Sequence, residues 1–320
     1  MPFISRKTIN GKQRYYLEQS VRLPNGTIKK YSQYLKDYAP KKKQYAMQPA
    51  LASLQAHIAK GLATAAASLY KKDTIFDELT IQRLEEIKLG YRDIRKKLNT
   101  KQLQDIIDRF AVNFTYESNA IEGNSLTLKD VTFLFFEKSV TKGKELRDIY
   151  EALNTRNALK RVFHKKLKMT EKDIIRLHKM LIEHTGVATG YKQLPNFLLG
   201  KSVQTVPPEH VSQEMKRLLT WYVHNTHMHP IQRAAYVHGV FERIHPFEDG
   251  NGRVGRLLIN IILISCGYPP LIIRKTQRIA YFKALEAFDH GHHDKLYRFL
   301  IEKYKQTYEQ FFKVYVQYLK

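Results

Sequence analysis

The chain has 320 residues, 43% of them hydrophobic, and a formal net charge of +24 from 54 Lys and Arg against 30 Asp and Glu. That length can bury one sizeable core with one or two small additions. The single cysteine excludes an internal disulfide framework, and the longest apolar run, Leu257 to Cys266, is too short to span a bilayer. Because Met1–Thr8 also lacks a signal-peptide core, we expect a cytoplasmic protein with no membrane partner.

Residues 1–45 are predicted to form a basic accessory domain, a three-stranded β-meander. Asn10-Gly11 and Asn25-Gly26 are strong hairpin signals that separate strand-like runs at 3–8, 13–22 and 27–34. Residues 1–60 hold twelve Lys and Arg against two acids. Two interpretations stay open: the sheet binds nucleic acid through its phosphates, or it is a solvated accessory sheet.

Helical patterns dominate the rest of the chain. A linker region at 46–99 is predicted to hold two helices, at 48–67 and 76–100. A larger domain is predicted at 100–305, with a first helix at about 102–123 and a core at about 135–305. Aromatic residues at three- and four-residue steps predict a C-terminal amphipathic helix at 306–320, used in core packing or as a dimer surface.

A short β-hairpin is predicted near the middle of the larger domain. Phe197, Leu198 and Leu199 precede a Gly-Lys turn, and 202–206 forms a second β-like run. The edge of such a flap could position an extended target segment through main-chain hydrogen bonds. The alternative is a solvated surface hairpin.

Residues 245–256 concentrate the chemistry of the chain. Apolar helical stripes end near Ile244 and begin again near Gly252, so a glycine-rich loop leads into a helix N-terminus, where anions bind. The histidine can take a proton near neutral pH, the aspartate can hold a hard cation, and the arginines supply forked positive charge. The residues concerned are His245, Asp249, Gly250, Asn251, Gly252, Arg253 and Arg256.

This segment resembles the signature of the Fic (filamentation induced by cAMP) family, His-x-Phe-x-Asp/Glu-Gly-Asn-Gly-Arg-x-x-Arg. The chain agrees at His245, Phe247, Asp249, Gly250, Asn251, Gly252, Arg253 and Arg256. The resemblance implies a mainly α fold: a Fic-type helical bundle with the short flap, preceded here by the basic meander. It also implies a protein adenylyltransferase, which transfers AMP from ATP to a Tyr, Ser or Thr hydroxyl of a target protein or of the chain itself.

The resemblance further implies a role for each matched residue. His245 would be the general base, and Asp249 would hold Mg²⁺, with Mn²⁺ as the alternative. The Gly250-Asn251-Gly252 turn and the two arginines would bind the phosphates of ATP. Many Fic proteins carry an arginine just before the flap, whereas Lys192 is the nearest basic residue here.

A second segment resembles the inhibitory motif of the family, Ser/Thr-x-x-x-Glu-Gly/Asn. It runs from Ser118 through Glu122 to Gly123, at the end of the helix predicted at about 102–123. In the family this glutamate pairs with the second arginine of the signature, here Arg256. We therefore expect autoinhibition, either within one chain or across a homodimer.

Three other functions stay open. The same site could remove AMP from a protein, or it could transfer a different phosphate-containing group. The chain could instead be a nucleic-acid-associated module that uses residues 1–45.

Two histidine clusters, 224–229 and 290–293, are predicted to be surface or loop residues rather than zinc ligands. His238 is predicted to be a buried core residue.

Overall fold

A computed structural model describes residues 1–35, 47–140, 142–196 and 204–314. The chain divides into two compact units, Met1–Gly90 and Tyr91–Lys320. The strands are β1 (Phe3–Ile9), β2 (Lys12–Arg22) and β3 (Ile28–Leu35). The helices are α1 (Met47–Ala67), α2 (Glu78–Lys97), α3 (Thr100–Ile121), α4 (Leu128–Phe136), α5 (Leu146–Phe163), α6 (Glu171–Leu181), α7 (Pro208–His224), α8 (Pro230–Ile244), α9 (Asn251–Ser265), α10 (Arg278–Asp289) and α11 (His293–Thr307). The fold is mainly α, as predicted.

The predicted β-meander is present in the first unit. Its antiparallel strands lie in the order β1-β2-β3. Asn10 and Gly11 both have left-handed backbone, with φ of 51° and 72°, as a two-residue hairpin turn requires. On one face of the sheet, Leu17, Tyr31 and Leu35 pack against Leu54 and Ile58 of α1. One helix therefore covers one face of the sheet.

The opposite face contains a buried carboxylate. Glu18, on β2, forms ion pairs with Lys7 at 2.8 Å and with Lys30 at 2.5 Å. Lys7 lies on β1 and Lys30 on β3. These two ammonium groups lower the pKa of Glu18 from 4.5 to about 2. The charged carboxylate thus joins all three strands.

The second unit is arranged around α8 and α9. Thirteen of the fifteen residues in each of these helices are buried, so both need neighbours on nearly every side. Helices α3, α5 and α6 pack against α9, while α7, α10 and α11 pack against α8. Gly255 allows the two central helices to approach closely, because a Cβ at that position would lie 2.9 Å from the ring of His238. The loop between α8 and α9 is consequently held on a rigid frame.

Several predicted features need correction or lie outside the described residues. His229 belongs to a cluster predicted at the surface or in a loop; it lies in the loop before α8 but is fully buried, and its Nδ1 caps the helix by accepting from the N–H of Ile231. The flap residues Phe197, Leu198 and Leu199 lie outside the described residues, as does 315–320. Tyr304, Phe311 and Phe312 are buried, which favours core packing for the C-terminal aromatic stripe. Among the residues described, none of the helices has both the length and the apolar character needed to cross a bilayer.

We expect Glu18→Gln to destabilise the protein at neutral pH by weakening the joint between strands. Since the folded pKa of about 2 lies below the ordinary 4.5, the carboxylate stabilises the fold fully above pH 4.5. That contribution is lost as pH falls towards 2. Thermal unfolding of both proteins should therefore differ most at neutral pH and converge at low pH. Glu309→Gln, which removes an exposed pair with Lys313, should change little at any pH.

Candidate active site

His245 begins the loop that follows α8. Its backbone N–H donates to Phe241 O at 2.9 Å, and its φ of 51° places it in the left-handed region. That conformation costs about 1–2 kcal/mol for a residue with a side chain, so the surrounding packing must impose it. His245 borders a cavity of about 620 Å³.

Phe247 and Asn251 fix the shape of this loop. Phe247 is fully buried, and its ring stacks on that of His178 with centroids 3.8 Å apart and planes 1° apart. The Asn251 side chain accepts from Phe247 N at 2.9 Å and donates to Phe247 O at 2.8 Å. Asn251 therefore holds the loop closed with its side chain, which is turned away from solvent.

His178, on α6, contacts the loop between α8 and α9. Its Nε2 lies 3.0 Å from Asp249 O, and because a carbonyl can only accept, Nε2 must carry a proton. Burial lowers the pKa of His178 from 6.5 to about 4, a shift that this backbone hydrogen bond opposes. The ring is consequently neutral at pH 7 and acts as a fixed donor.

The N-terminus of α9 opens into the same cavity. Gly250 has a left-handed φ of 81°, and Gly250, Asn251 and Gly252 all border the cavity. A Cβ on Gly252 would collide with the carboxylate of Glu122. The positive end of the helix dipole therefore faces the Glu122 carboxylate, for which a side chain at position 252 would leave no room.

Arg256 lies behind the cavity wall, 2% exposed. Its Nη2 pairs with Glu122 Oε1 at 2.7 Å and donates to Ser118 O at 2.8 Å, while Nε donates to Ser118 Oγ at 2.9 Å. Among the described residues, Nη1 has no hydrogen-bond partner, and it lies near Gly252. Burial alone would lower the pKa of Arg256, but the charge of Glu122 holds it above its ordinary value.

A second group of ions surrounds Asp249. Its Oδ2 accepts from Arg147 Nη2 at 2.6 Å and from Arg253 Nη2 at 3.4 Å. Glu151, on α5, lies 3.1 Å from Arg253 Nη1 and 3.4 Å from Arg147 Nε. The four side chains thus form one network of ion pairs that extends from the exposed Arg147 to the buried Arg253.

The structure brings most of the predicted site residues together. Glu122, His245, Asp249, Gly250, Asn251 and Gly252 border one cavity, with Arg253 and Arg256 paired to acids at its wall. Gly123 does not border the cavity; its φ of 100° ends the turn that follows α3. No group of three or more His, Cys, Asp and Glu side chains suited to a metal occurs among the described residues.

The segment that leads to the predicted flap is tied to the loop. Lys192 N donates to Pro246 O at 2.9 Å, and Asn196 Nδ2 donates to Phe247 O at 3.0 Å. The Lys192 ammonium is buried and donates to Thr205 Oγ1 at 3.0 Å. Lys192 thus joins the two ends of the segment that holds the predicted flap.

Sequence reasoning missed three residues that shape the site: Arg147, Glu151 and His178. Arg147 and Glu151 are four apart on α5, which marks an exposed helical ion pair but does not reveal Asp249 as a partner. His178 lies on the buried face of α6, where only its contact with Phe247 distinguishes it. No local pattern could have found these contacts.

Comparisons with known proteins agree with this arrangement. The model of the Fic/DOC family matches residues 168–263, which include α6, α8, the loop and most of α9. Residues 168–263 thus match a Fic/DOC family domain. Protein adenylyltransferase Fic from Drosophila persimilis is 33% identical over 197 residues, which cover 60% of this chain and 39% of that protein. The protein of the same name from Nematostella vectensis is 32% identical over 202 residues, 61% and 47% of the two chains.

The chain spans less than half the length of these two relatives. Two solved structures share the fold. A Fic domain containing signaling protein from Bacteroides thetaiotaomicron has a TM-score of 0.67 at 24% identity, covering 73% of this chain and 97% of that one. Fic-1 (134–508) from C. elegans has a TM-score of 0.60 at 20% identity, covering 83% and 86%. These likenesses confirm the predicted Fic-type helical bundle.

We expect the His178 imidazole to titrate near pH 4, as an NMR titration would show. The unfolded chain binds this proton near pH 6.5, so His178 makes the fold lose stability as pH falls from 6.5 towards 4. His178→Phe keeps a ring on Phe247 but cannot take up the proton, so its stability should fall less over that range. His224→Phe, at an exposed position, is the matched control. Titration of His178 near 6.5 would contradict the assignment.

Proposed function

We propose that this chain is a protein adenylyltransferase that moves AMP from ATP to a Tyr, Ser or Thr hydroxyl of a target protein. One observation carries the proposal: His245, Asp249 and the N-terminus of α9 meet at one cavity of about 620 Å³. The relatives named protein adenylyltransferase Fic support the same class. The target and a homodimer stay predictions.

The residues of the site supply the chemistry of this transfer. His245 would take the proton from the incoming hydroxyl as its oxygen attacks the α-phosphorus of ATP, a role worth about 10²- to 10⁴-fold in rate. The bond from that phosphorus to the bridging oxygen breaks, and pyrophosphate leaves. The N–H groups at Gly250–Gly252, with Arg253 and Arg256, would stabilise the charge that develops on the phosphates.

Asp249 fits a magnesium site that forms only with the nucleotide. Mg²⁺ usually binds one or two protein carboxylates together with phosphates and water. Asp249 borders the cavity with a partly exposed carboxylate, so one protein ligand is present and phosphates would complete the set. Bound Mg²⁺, or Mn²⁺, would neutralise charge on the phosphates and on the leaving group.

Glu122 opposes nucleotide binding in two ways. Its carboxylate pairs with the Arg256 guanidinium, with which a terminal phosphate of the nucleotide would otherwise pair. It also occupies the space beside Gly252, next to the N-terminus of α9. The helix end that carries Glu122 is held by Arg256 at Ser118 and by Arg278, which donates to Ile121 O at 2.8 Å. This geometry supports autoinhibition within one chain.

We expect Glu122→Gly to raise transfer of labelled AMP from ATP strongly over wild type. Replacing His245 with Ala in that background should lower the rate by about 10²- to 10⁴-fold, because the base is gone. Label incorporation into the protein or an added target, in the presence of Mg²⁺, measures both effects. No incorporation by Glu122→Gly from ATP, UTP, GTP or CTP would contradict the proposed transfer.

A matched control separates loss of the carboxylate from the cost of glycine in a helix. Glu117 lies in α3, which ends just before Glu122, but it accepts from Lys275 N at 2.6 Å, away from Arg256. Glu117→Gly should leave transfer at the wild-type level. Release of AMP from a modified protein by wild type, with no transfer by Glu122→Gly, would instead favour the reverse reaction. Labelling from UTP, GTP or CTP alone would indicate another nucleotide.

Arg147→Gln should increase the affinity of the site for Mn²⁺ in the presence of a non-hydrolysable ATP analogue. The guanidinium of Arg147 lies 2.6 Å from Asp249 Oδ2, where a cation would bind. An exposed pair of this kind is worth about 0.2–1 kcal/mol, so the Kd should fall by about 1.5- to 5-fold. Electron paramagnetic resonance of free Mn²⁺ measures this directly. Arg109→Gln, which breaks an exposed pair with Asp105, should have no effect.

A further inference from the structure

The outer face of the N-terminal sheet, opposite α1, is basic and aromatic. Residues 1–35 carry seven Lys and Arg, and the strand register places five on this face: Lys7, Lys12, Arg14, Arg22 and Lys30. Only Arg6 and Lys29 belong to the face that α1 covers. Because side chains alternate between the two faces along each strand, most of the positive charge is concentrated on the outer face.

The single acid on the outer face, Glu18, offsets only one of these five positive charges. Glu18 is fully buried beneath Lys7 and Lys30, which lower its pKa to about 2. It stays ionised at neutral pH, but no part of it is presented to a ligand. The outer face therefore presents only cations to an approaching molecule.

Aromatic rings hold several of these cations in place. Lys7 lies 4.7 Å from the centroid of Tyr16, and Arg14 lies 5.8 Å from that of Tyr34. The rings of Tyr16 and Tyr34 are themselves 5.4 Å apart, and Tyr34 is 41% exposed. Cation–π contacts of this kind restrict long side chains before a ligand arrives. They also leave ring edges available to sugars and bases.

The dimensions of the sheet fit duplex DNA. Side chains two residues apart on one strand are about 7 Å apart, and the two outer strands are separated by about 10 Å. The major groove of B-form DNA is about 12 Å wide and accepts a two-stranded β-ribbon, which two neighbouring strands of this sheet would supply. The DNA duplex carries one negative charge per about 1.7 Å of its axis. This negative charge is complementary to a face that exposes basic residues and no acids.

From the charge, the rings and the dimensions together, we infer that the outer face of the β-meander binds double-stranded DNA. Phosphates pair with Lys12, Arg14 and Arg22 along β2, and with the ammonium groups of Lys7 and Lys30. This binding is separate from nucleotide transfer in the Fic domain. Most of its free energy comes from phosphate contacts, so it reads little of the base sequence.

The test compares two double variants of the full chain that differ only in the face they alter. Lys12→Gln with Arg22→Gln removes one Lys and one Arg, both exposed, from the outer face. Arg6→Gln with Lys29→Gln removes one Lys and one Arg, also exposed, from the other face. Circular dichroism and thermal unfolding establish that both remain folded. Fluorescence anisotropy then measures Kd for a labelled mixed-sequence duplex over a range of salt concentrations.

We expect the outer-face variant to bind about tenfold or more weakly near 0.1 M salt. The slope of log K against log salt should become shallower by about 2, as loss of two phosphate contacts predicts. The control variant should stay close to wild type in both measurements. Equal weakening of both variants would overturn the inference, because net charge alone would then explain binding. So would tighter binding of single-stranded DNA, equal binding of poly-glutamate, or no salt-dependent binding at all.

Discussion

The buried guanidinium of Arg256 is the constraint on which the site depends. A charge removed from water must be paired, because an isolated buried ion is very costly. The end of α3 provides that pairing through Glu122 and through the carbonyl and hydroxyl of Ser118. In the proposed function, a nucleotide phosphate would replace Glu122 without leaving the guanidinium unpaired. Under that proposal Arg256 has two alternative anionic partners, and Glu122 would act as the switch.

The position of the two arginines on α9 strengthens this argument. Arg253 and Arg256 lie in its first two turns, close to the positive end of the helix dipole, where cations are unfavourable. Glu122, Glu151 and Asp249 each offset part of that cost. A bound polyphosphate would supply the same compensation with more negative charge. The acids thus stabilise the protein without ligand, and under the proposed function they would also compete with the nucleotide.

Local patterns predicted much of the fold and part of the site. Asn10-Gly11 marked a hairpin because only residues that tolerate left-handed backbone fit its turn, and the end of α8 at Ile244 followed from its apolar stripe. Contacts between distant segments left no such pattern. Ser118 is 138 positions from Arg256, and the family resemblance led us to expect only the pairing of Glu122 with Arg256, not the contact with Ser118. The burial of His229 was missed because its ring, within a polar cluster, caps a buried helix start.

Two groups of basic residues in this chain differ in the anions that already surround them. Around α9, Arg253 and Arg256 are 2% exposed and already paired with acids of the protein, so a ligand must displace an internal anion. On the outer face of the meander, Lys12 and Arg22 are exposed and the only acid is buried. A ligand there displaces only counterions, whose release depends on salt. Pre-paired arginines favour selective, switchable binding, whereas exposed cations favour binding that ignores sequence, so a single charge count cannot describe both.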